Sequence, residues 1–138
     1  MQTKNITVSA VVSADKLKVW ECYTNPEHIT QWNFADPSWH CPYASNDLTL
    51  GGRYVARMEA KDGSFGFDFE AVYTEIHPEQ SFTYEFGGRF ATVTFEESGA
   101  ATVVTVTFDP ESENSIELQR NGWQAILDNF KSYTENNV

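Results

Sequence analysis

The chain has 138 residues, 41% of them hydrophobic and 14% aromatic, which is one domain with room for one core. Nine basic against twenty acidic side chains leave a formal net charge of −11, a balance that repels phosphate backbones and anionic lipid headgroups and argues against nucleic-acid and membrane partners. No apolar run reaches bilayer-spanning length, and the opening MQTKNITVSA lacks the apolar centre of a signal peptide, so the expected location is the cytoplasm.

Residues 6–12 alternate weakly and are rich in β-branched side chains, which predicts a first strand. Ser13 is the candidate N-cap for a helix in ADKLKVWECYT, where Leu17, Trp20 and Tyr23 or Thr24 recur at helical spacing. Asn25-Pro26 interrupts it. Pro26 suits the first turn of a second short helix, PEHITQW, with Ile29 and Trp32 on its apolar side. From 33 to 48, two prolines and no sustained period predict a long irregular loop carrying Phe34, Trp39 and Tyr43.

Residues 50–76, LGGRYVARMEAKDGSFGFDFEAVYTEI, read as a β-hairpin about Asp62-Gly63, a dipeptide of the type I′ turn in which both central residues take φ > 0. Counting outward pairs Ala60 with Phe65, Met58 with Phe67, Ala56 with Phe69 and Tyr54 with Ala71, so that one face sets large side chains against small ones. The other face puts Arg57 opposite Asp68 and Arg53 diagonal to Glu70, as a solvated surface does. His77-Pro78-Glu79-Gln80 turns the chain into a strand over 81–86, and Gly87-Gly88 turns it again into a strand over 89–96. That second hairpin pairs Phe86 with Arg89, Tyr84 with Ala91 and Phe82 with Val93 on the same inner face, with Arg89 at the rim. Ser98-Gly99 leads to a sixth strand over 102–108, in which Val104, Val106 and Phe108 alternate with Val103, Thr105 and Thr107.

Beyond the acidic stretch DPESEN, Ser115 is a candidate N-cap for a long closing helix. Its apolar face is read from Ile116, Gln119 or Arg120, Trp123, Ile126 or Leu127, Phe130 and Tyr133. Gly122 in its interior is unfavourable by about 1 kcal/mol relative to Ala, which predicts that something comes close there, a strand in preference to a ligand. The expected fold is α+β: a curved six-stranded antiparallel sheet wrapped around a long C-terminal helix, with two short helices after strand 1.

Three phrases, VWECYTNPEHITQW, DLTLGGRYVARMEAKDGSFGFDFEAVYTEIHPEQ and QRNGWQAILDNFKSY, together resemble the family named for the activator of Hsp90 ATPase homologue 1, within the START/Bet v 1-like helix-grip (SRPBCC) superfamily. The specific part is the pairing of Asp47-Leu48 and Gly51-Gly52 at a strand entry with Gly122-Trp123 and Leu127 in the final helix. The resemblance implies a single helix-grip domain over residues 1–138 and a cavity between the long helix and the concave sheet. The eukaryotic co-chaperones of that name carry a further N-terminal domain that engages the chaperone. A length of 138 residues leaves no room for it, so Hsp90 is not an expected partner.

The candidate ligand-binding set is Trp39, Tyr54, Met58, Phe67, Phe69, Phe82, Tyr84, Phe86, Arg89, Trp123 and Leu127, since small-molecule sites are mostly apolar with a few polar fixtures. The competing reading is that the same rings interdigitate as closed core. Arg89, the Tyr84 hydroxyl, and Glu59 or Arg57 in a register one residue off are the polar groups offered for orienting a ligand. Trp39-His40-Cys41-Pro42 sets a thiol beside an imidazole, but adjacent residues seldom face each other and no nucleophile motif surrounds them, so no catalytic residue is assigned. His28, His40, Cys41 and His77 lack zinc spacing, Cys22 and Cys41 make no disulfide framework, and no phosphate loop or Ser-His-Asp set is present. No metal or cofactor is therefore expected. The function these features point to is a carrier or sensor of a small hydrophobic or aromatic molecule. The alternatives are an enzyme using the same cavity, cyclase or hydrolase-like as some helix-grip relatives are, and an Hsp90-related co-chaperone or stress-response module.

Overall fold

The computed structural model describes residues 5–137. β1 (Ile6–Val12) is followed by α1 (Lys16–Thr24) and α2 (Pro26–Trp32), then by six strands: β2 (Trp39–Asn46), β3 (Arg53–Ala60), β4 (Gly66–His77), β5 (Ser81–Phe86), β6 (Arg89–Ser98) and β7 (Ala101–Phe108). A twenty-residue helix, α3 (Ile116–Glu135), closes the chain. All seven strands form one antiparallel sheet in the order β1-β7-β6-β5-β4-β3-β2, so the first strand returns beside the last and the meander lies to one side of both.

The two short helices follow from their caps. Asp15, rather than Ser13, receives the Lys18 N–H and starts α1, while the Ser13 N–H donates to the Glu135 carboxylate at 2.8 Å. Leu17 is exposed, and the face that docks is instead Val19, Trp20 and Cys22. Asn25 ends α1 and caps α2 through its side chain; it is held extended, as the residue before a proline is. Ile29 and Trp32 are buried as their spacing requires.

The sheet has seven strands where the sequence pattern suggests six. The segment expected as loop contains β2, an edge strand in which Cys41 and Pro42 together face a single partner residue, a β-bulge. Proline donates no ladder hydrogen bond and the bulge breaks the two-residue alternation, so the strand has no visible period. The bulge also turns Cys41 into the core, while Pro42 stays exposed.

The β3–β4 register agrees with the sequence reading: Tyr54 faces Ala71, Ala56 faces Phe69, Arg57 faces Asp68 and Met58 faces Phe67. The connection is not a type I′ turn, however. Gly63 has φ of 79° whereas Asp62 keeps a negative φ; Gly63 N–H reaches the Ala60 carbonyl and Ala60 N–H the Phe65 carbonyl. This four-residue loop uses the Asp62 carboxylate to receive the Ser64 N–H at 2.8 Å, and it closes on the same residue pair that a two-residue turn would. At Gly87 and Gly88 both φ values are positive, and Phe86, Tyr84 and Phe82 face Arg89, Ala91 and Val93.

α3 crosses the concave side. Ser115 caps it by receiving the Leu118 N–H, and the Gln119 amide binds the Glu111 and Asn114 backbone, fixing the angle at which the chain leaves β7. Farther along, Trp123 stacks on Phe108 at 3.9 Å, Gln124 donates to the Ser9 carbonyl, Asn129 to the Trp32 carbonyl, and Phe130 sits fully buried against Tyr23 and Trp32. Gly122 is not a point of close approach: a methyl group there would meet nothing within 4 Å. Among the described residues no helix is long and apolar enough to cross a membrane.

Candidate functional site

Where α3 spans the meander it leaves a cavity of about 180 Å³. β3 contributes Tyr54 and Met58, β4 Phe67 and Phe69, β5 Tyr84, and β7 Val106. Across from them stand Trp123, Ile126 and Leu127 of α3, and the third side is Tyr23 of α1, Trp32 at the end of α2, and Asn33 just beyond it. Alternation in β3 and β4 brings Met58 opposite Phe67 and Ala56 opposite Phe69, so that Tyr54, Met58, Phe67 and Phe69 share the concave face. Phe67 is both wall and surface, 44% exposed, and marks the mouth.

Among the described residues no Asp, Glu, Lys, Arg or His lines this space. The polar side-chain groups of its lining residues are three tyrosine hydroxyls, one amide and the indole N–H groups of Trp32 and Trp123, of which that of Trp32 donates to the Cys22 carbonyl. Asn33 donates from Nδ2 to the Tyr54 hydroxyl at 3.2 Å. Behind the wall, Tyr73 donates to Asn46 Oδ1 at 2.7 Å, and Asn46 in turn donates to the Thr24 carbonyl, tying β2 to α1. Burial raises the pKa of Tyr23, Tyr54, Tyr73 and Tyr84 well above that of a free phenol, and for all but Tyr73 the neighbouring phenols raise it further. These groups are neutral hydrogen-bond donors throughout the physiological pH range.

The Trp39-His40-Cys41-Pro42 segment lies elsewhere and is not arranged for nucleophilic chemistry. Burial pushes the Cys41 thiol up to about 11, its S–H points to the Tyr43 carbonyl at 3.4 Å, and the His40 ring faces Glu59 at 3.5 Å. His28 meets Tyr133 and Glu21, and His77 meets Glu75, in separate parts of the surface. Among the described residues no three His, Cys, Asp or Glu side chains converge as metal ligands would.

A family model described as Activator of Hsp90 ATPase homolog 1-like protein matches residues 13–135, which takes in every element that builds the cavity. The chain belongs to that family. The solution structure of the AHSA1-like protein from Aeromonas hydrophila is similar at a TM-score of 0.87 and 36% identity, covering 96% of this chain and 94% of that one. Protein Chr148 from Cytophaga hutchinsonii is 47% identical at a TM-score of 0.82, over 96% and 93% of the two chains. Protein NE0264 from Nitrosomonas europaea, 15% identical over 97% and 96%, shares the fold at a TM-score of 0.83. No curated protein matches the chain.

Within this AHSA1-like fold, seven of the candidate residues named from the sequence stand on the cavity wall: Tyr54, Met58, Phe67, Phe69, Tyr84, Trp123 and Leu127. Four do not. Phe82 faces inward as expected but is sealed beneath α1, where Trp20, Tyr23, Tyr73 and Phe95 pack on it. Phe86 is capped by Trp123 on one side and by the Arg89 guanidinium, 4.7 Å from its ring centre, on the other, so Arg89 is occupied outside the cavity. Trp39 packs with Phe65 and Phe67 around the outside of the mouth. The wall also holds Tyr23, Trp32, Asn33, Val106 and Ile126, which the sequence reading did not place there. Ile126 is the alternative to Leu127 on the helical face, and Val106 stands in the β7 alternation; Tyr23 and Asn33 carry no signal until α1 and α2 are docked.

Proposed function

We propose that this chain binds a small, largely apolar molecule in the cavity between α3 and the sheet and serves as its carrier or sensor. The observation that carries the reading is an aromatic-walled space of about 180 Å³ that α3 bridges without filling. An apolar cavity of roughly 150 Å³ in a protein core stays dry and takes up benzene, so this one is of a size for a single substituted ring. The helix-grip fold to which the chain belongs is one that commonly binds hydrophobic ligands. The net charge of −11 fits a small-molecule partner better than nucleic acid or an anionic membrane. Catalysis in the same space would have only neutral phenols, an amide and indole N–H groups to work with, which favours binding over turnover.

Titration with isopropylbenzene, followed by methyl NMR, tests this reading. The Met58 methyl resonance shifts and saturates in the native protein, and it stays in place when Leu127→Trp fills the space. A Met58 signal that ignores the probe in the folded native protein would refute the proposal.

A further inference from the structure

Two of the cavity's hydroxyls have no hydrogen-bond partner among the described residues. Tyr84 is 6% exposed, lines the cavity, and makes no hydrogen bond to any described residue through its oxygen. The same holds for Tyr23, which is deep among protein atoms yet keeps part of its surface open; that surface is cavity wall. Their situation differs from that of Thr134 Oγ1, the one buried side-chain oxygen among the described residues that is cut off from both partner and open space. Tyr54 receives the Asn33 amide, which orients its own O–H away from Asn33. The three phenol rings are neighbours: Tyr23 and Tyr84 both pack on Phe82, at 5.9 and 5.4 Å between ring centres, Tyr54 packs on Tyr84 at 5.5 Å, and the Tyr23 and Tyr54 phenols both act on the titration of Tyr84. Buried polar groups are ordinarily paired, because an unmet donor in a low-dielectric site is costly. A group of neighbouring rings that presents donors, with no protein acceptor for two of them and no charge on any described wall, is shaped for an acceptor that arrives from outside.

We infer that the ligand is an uncharged, single-ring-sized molecule bearing one hydrogen-bond acceptor, a carbonyl or ether oxygen, which accepts from the Tyr84 and Tyr23 hydroxyls while its apolar body rests against Met58, Phe69 and Trp123. This rests on the proposed binding function and narrows its ligand class. An anion is disfavoured because no cation lines the cavity and Arg89 is held on Phe86 outside it. A quaternary ammonium could find aromatic faces here, but no carboxylate stands on the wall to complement it, and the unpaired donors would remain unmet. Since the phenols are held protonated, affinity for such a ligand is level between pH 5 and 9.

Four probes of nearly one shape decide the matter: acetophenone, isopropylbenzene, benzoate and phenyltrimethylammonium, each titrated by calorimetry with the Met58 methyl shift as the reporter of place. Acetophenone and isopropylbenzene differ by an oxygen in the position of a methyl group, so the ratio of their affinities isolates the acceptor. In Tyr84→Phe, and separately in Tyr23→Phe, that ratio falls about tenfold from the native value. Benzoate and phenyltrimethylammonium bind at least tenfold more weakly than acetophenone. A ratio that neither substitution moves, in variants whose near-ultraviolet circular dichroism is native, would overturn the inference while leaving the binding function standing. So would tighter binding of either ion. Failure of all four probes in the native protein defeats both.

Discussion

The concave face has two ends built from the same kind of side chain, and they finish differently. At one end α1 presses Trp20 and Tyr23 onto Phe82 and Phe95, with ring centres 5.2 to 6.1 Å apart, and Phe82 and Phe95 are left 1% exposed. At the other, Tyr54, Phe69 and Tyr84 pack on one another at similar spacing and yet border open space. Ring content does not separate core from cavity; cover does. α1 lies directly on β6 and β7, whereas α3 runs along β1 and reaches toward the far strands through long side chains such as Trp123.

The largest expected effect tests that contrast by truncation. Phe82→Ala removes a ring held on all sides and costs about 3–5 kcal/mol, with a cavity left under α1. Phe69→Ala removes a half-buried ring that already has space beside it and costs under about 2 kcal/mol. Urea unfolding of the two variants checks the difference. Equal losses would mean that the two ends are packed alike.

What the sequence makes legible follows the same line. Register is local: Asp62-Gly63 and Gly87-Gly88 place Met58 opposite Phe67 and Tyr84 opposite Ala91 without reference to the rest of the chain, even though the first turn is of another type than its dipeptide suggests. Inward-facing rings on β3, β4 and β5 can therefore be named from the sequence. Which of them end as wall and which as core cannot, because that is decided by where α1 docks, and α1 advertises Leu17 while burying Val19 and Cys22. Phe82 and Tyr84 are two residues apart on one strand and one face, yet α1 covers the first and leaves the hydroxyl of the second free. β2 is hidden for a different reason: a proline and a bulge remove the period by which strands are recognised.

A smaller effect sharpens the contrast at Gly122, one residue before Trp123 above the open end. Helix α3 gains from Gly122→Ala by about 0.5–1 kcal/mol, because alanine narrows the unfolded ensemble and the added methyl meets nothing within 4 Å. If the helix pressed on a strand there, the same substitution would destabilise. A rise in the urea midpoint supports the stand-off of α3 from the sheet, and a fall removes it.

The smallest effect concerns how the two ends of α3 are tied. Near its C-terminus Glu135 receives the Ser13 N–H and pairs with Lys131, joining the helix to the β1–α1 junction; before its N-terminus Glu111 receives the Asn114 N–H and amide within one turn of chain. Lys131 in the first case and the Asn114 N–H in the second chiefly hold these carboxyls below the usual glutamate range. A carboxyl whose folded pKa is depressed contributes stability that is fully present above its unfolded value, near 4.3, and is lost as pH falls through the folded value. Both contacts therefore weaken the fold on acidification below about pH 4. The Glu111 contact and the Lys131–Glu135 pair are both local enough to form in part in the unfolded chain, which cancels some of their effect, whereas the Ser13 contact, the second hold on Glu135, closes 122 residues and exists only when α3 is docked. Glu135→Gln accordingly flattens the fall in melting temperature between pH 5 and pH 3 more than Glu111→Gln does. Equal flattening would share the pH-sensitive hold on α3 between its two ends, and greater flattening by Glu111→Gln would place it in the loop before the helix.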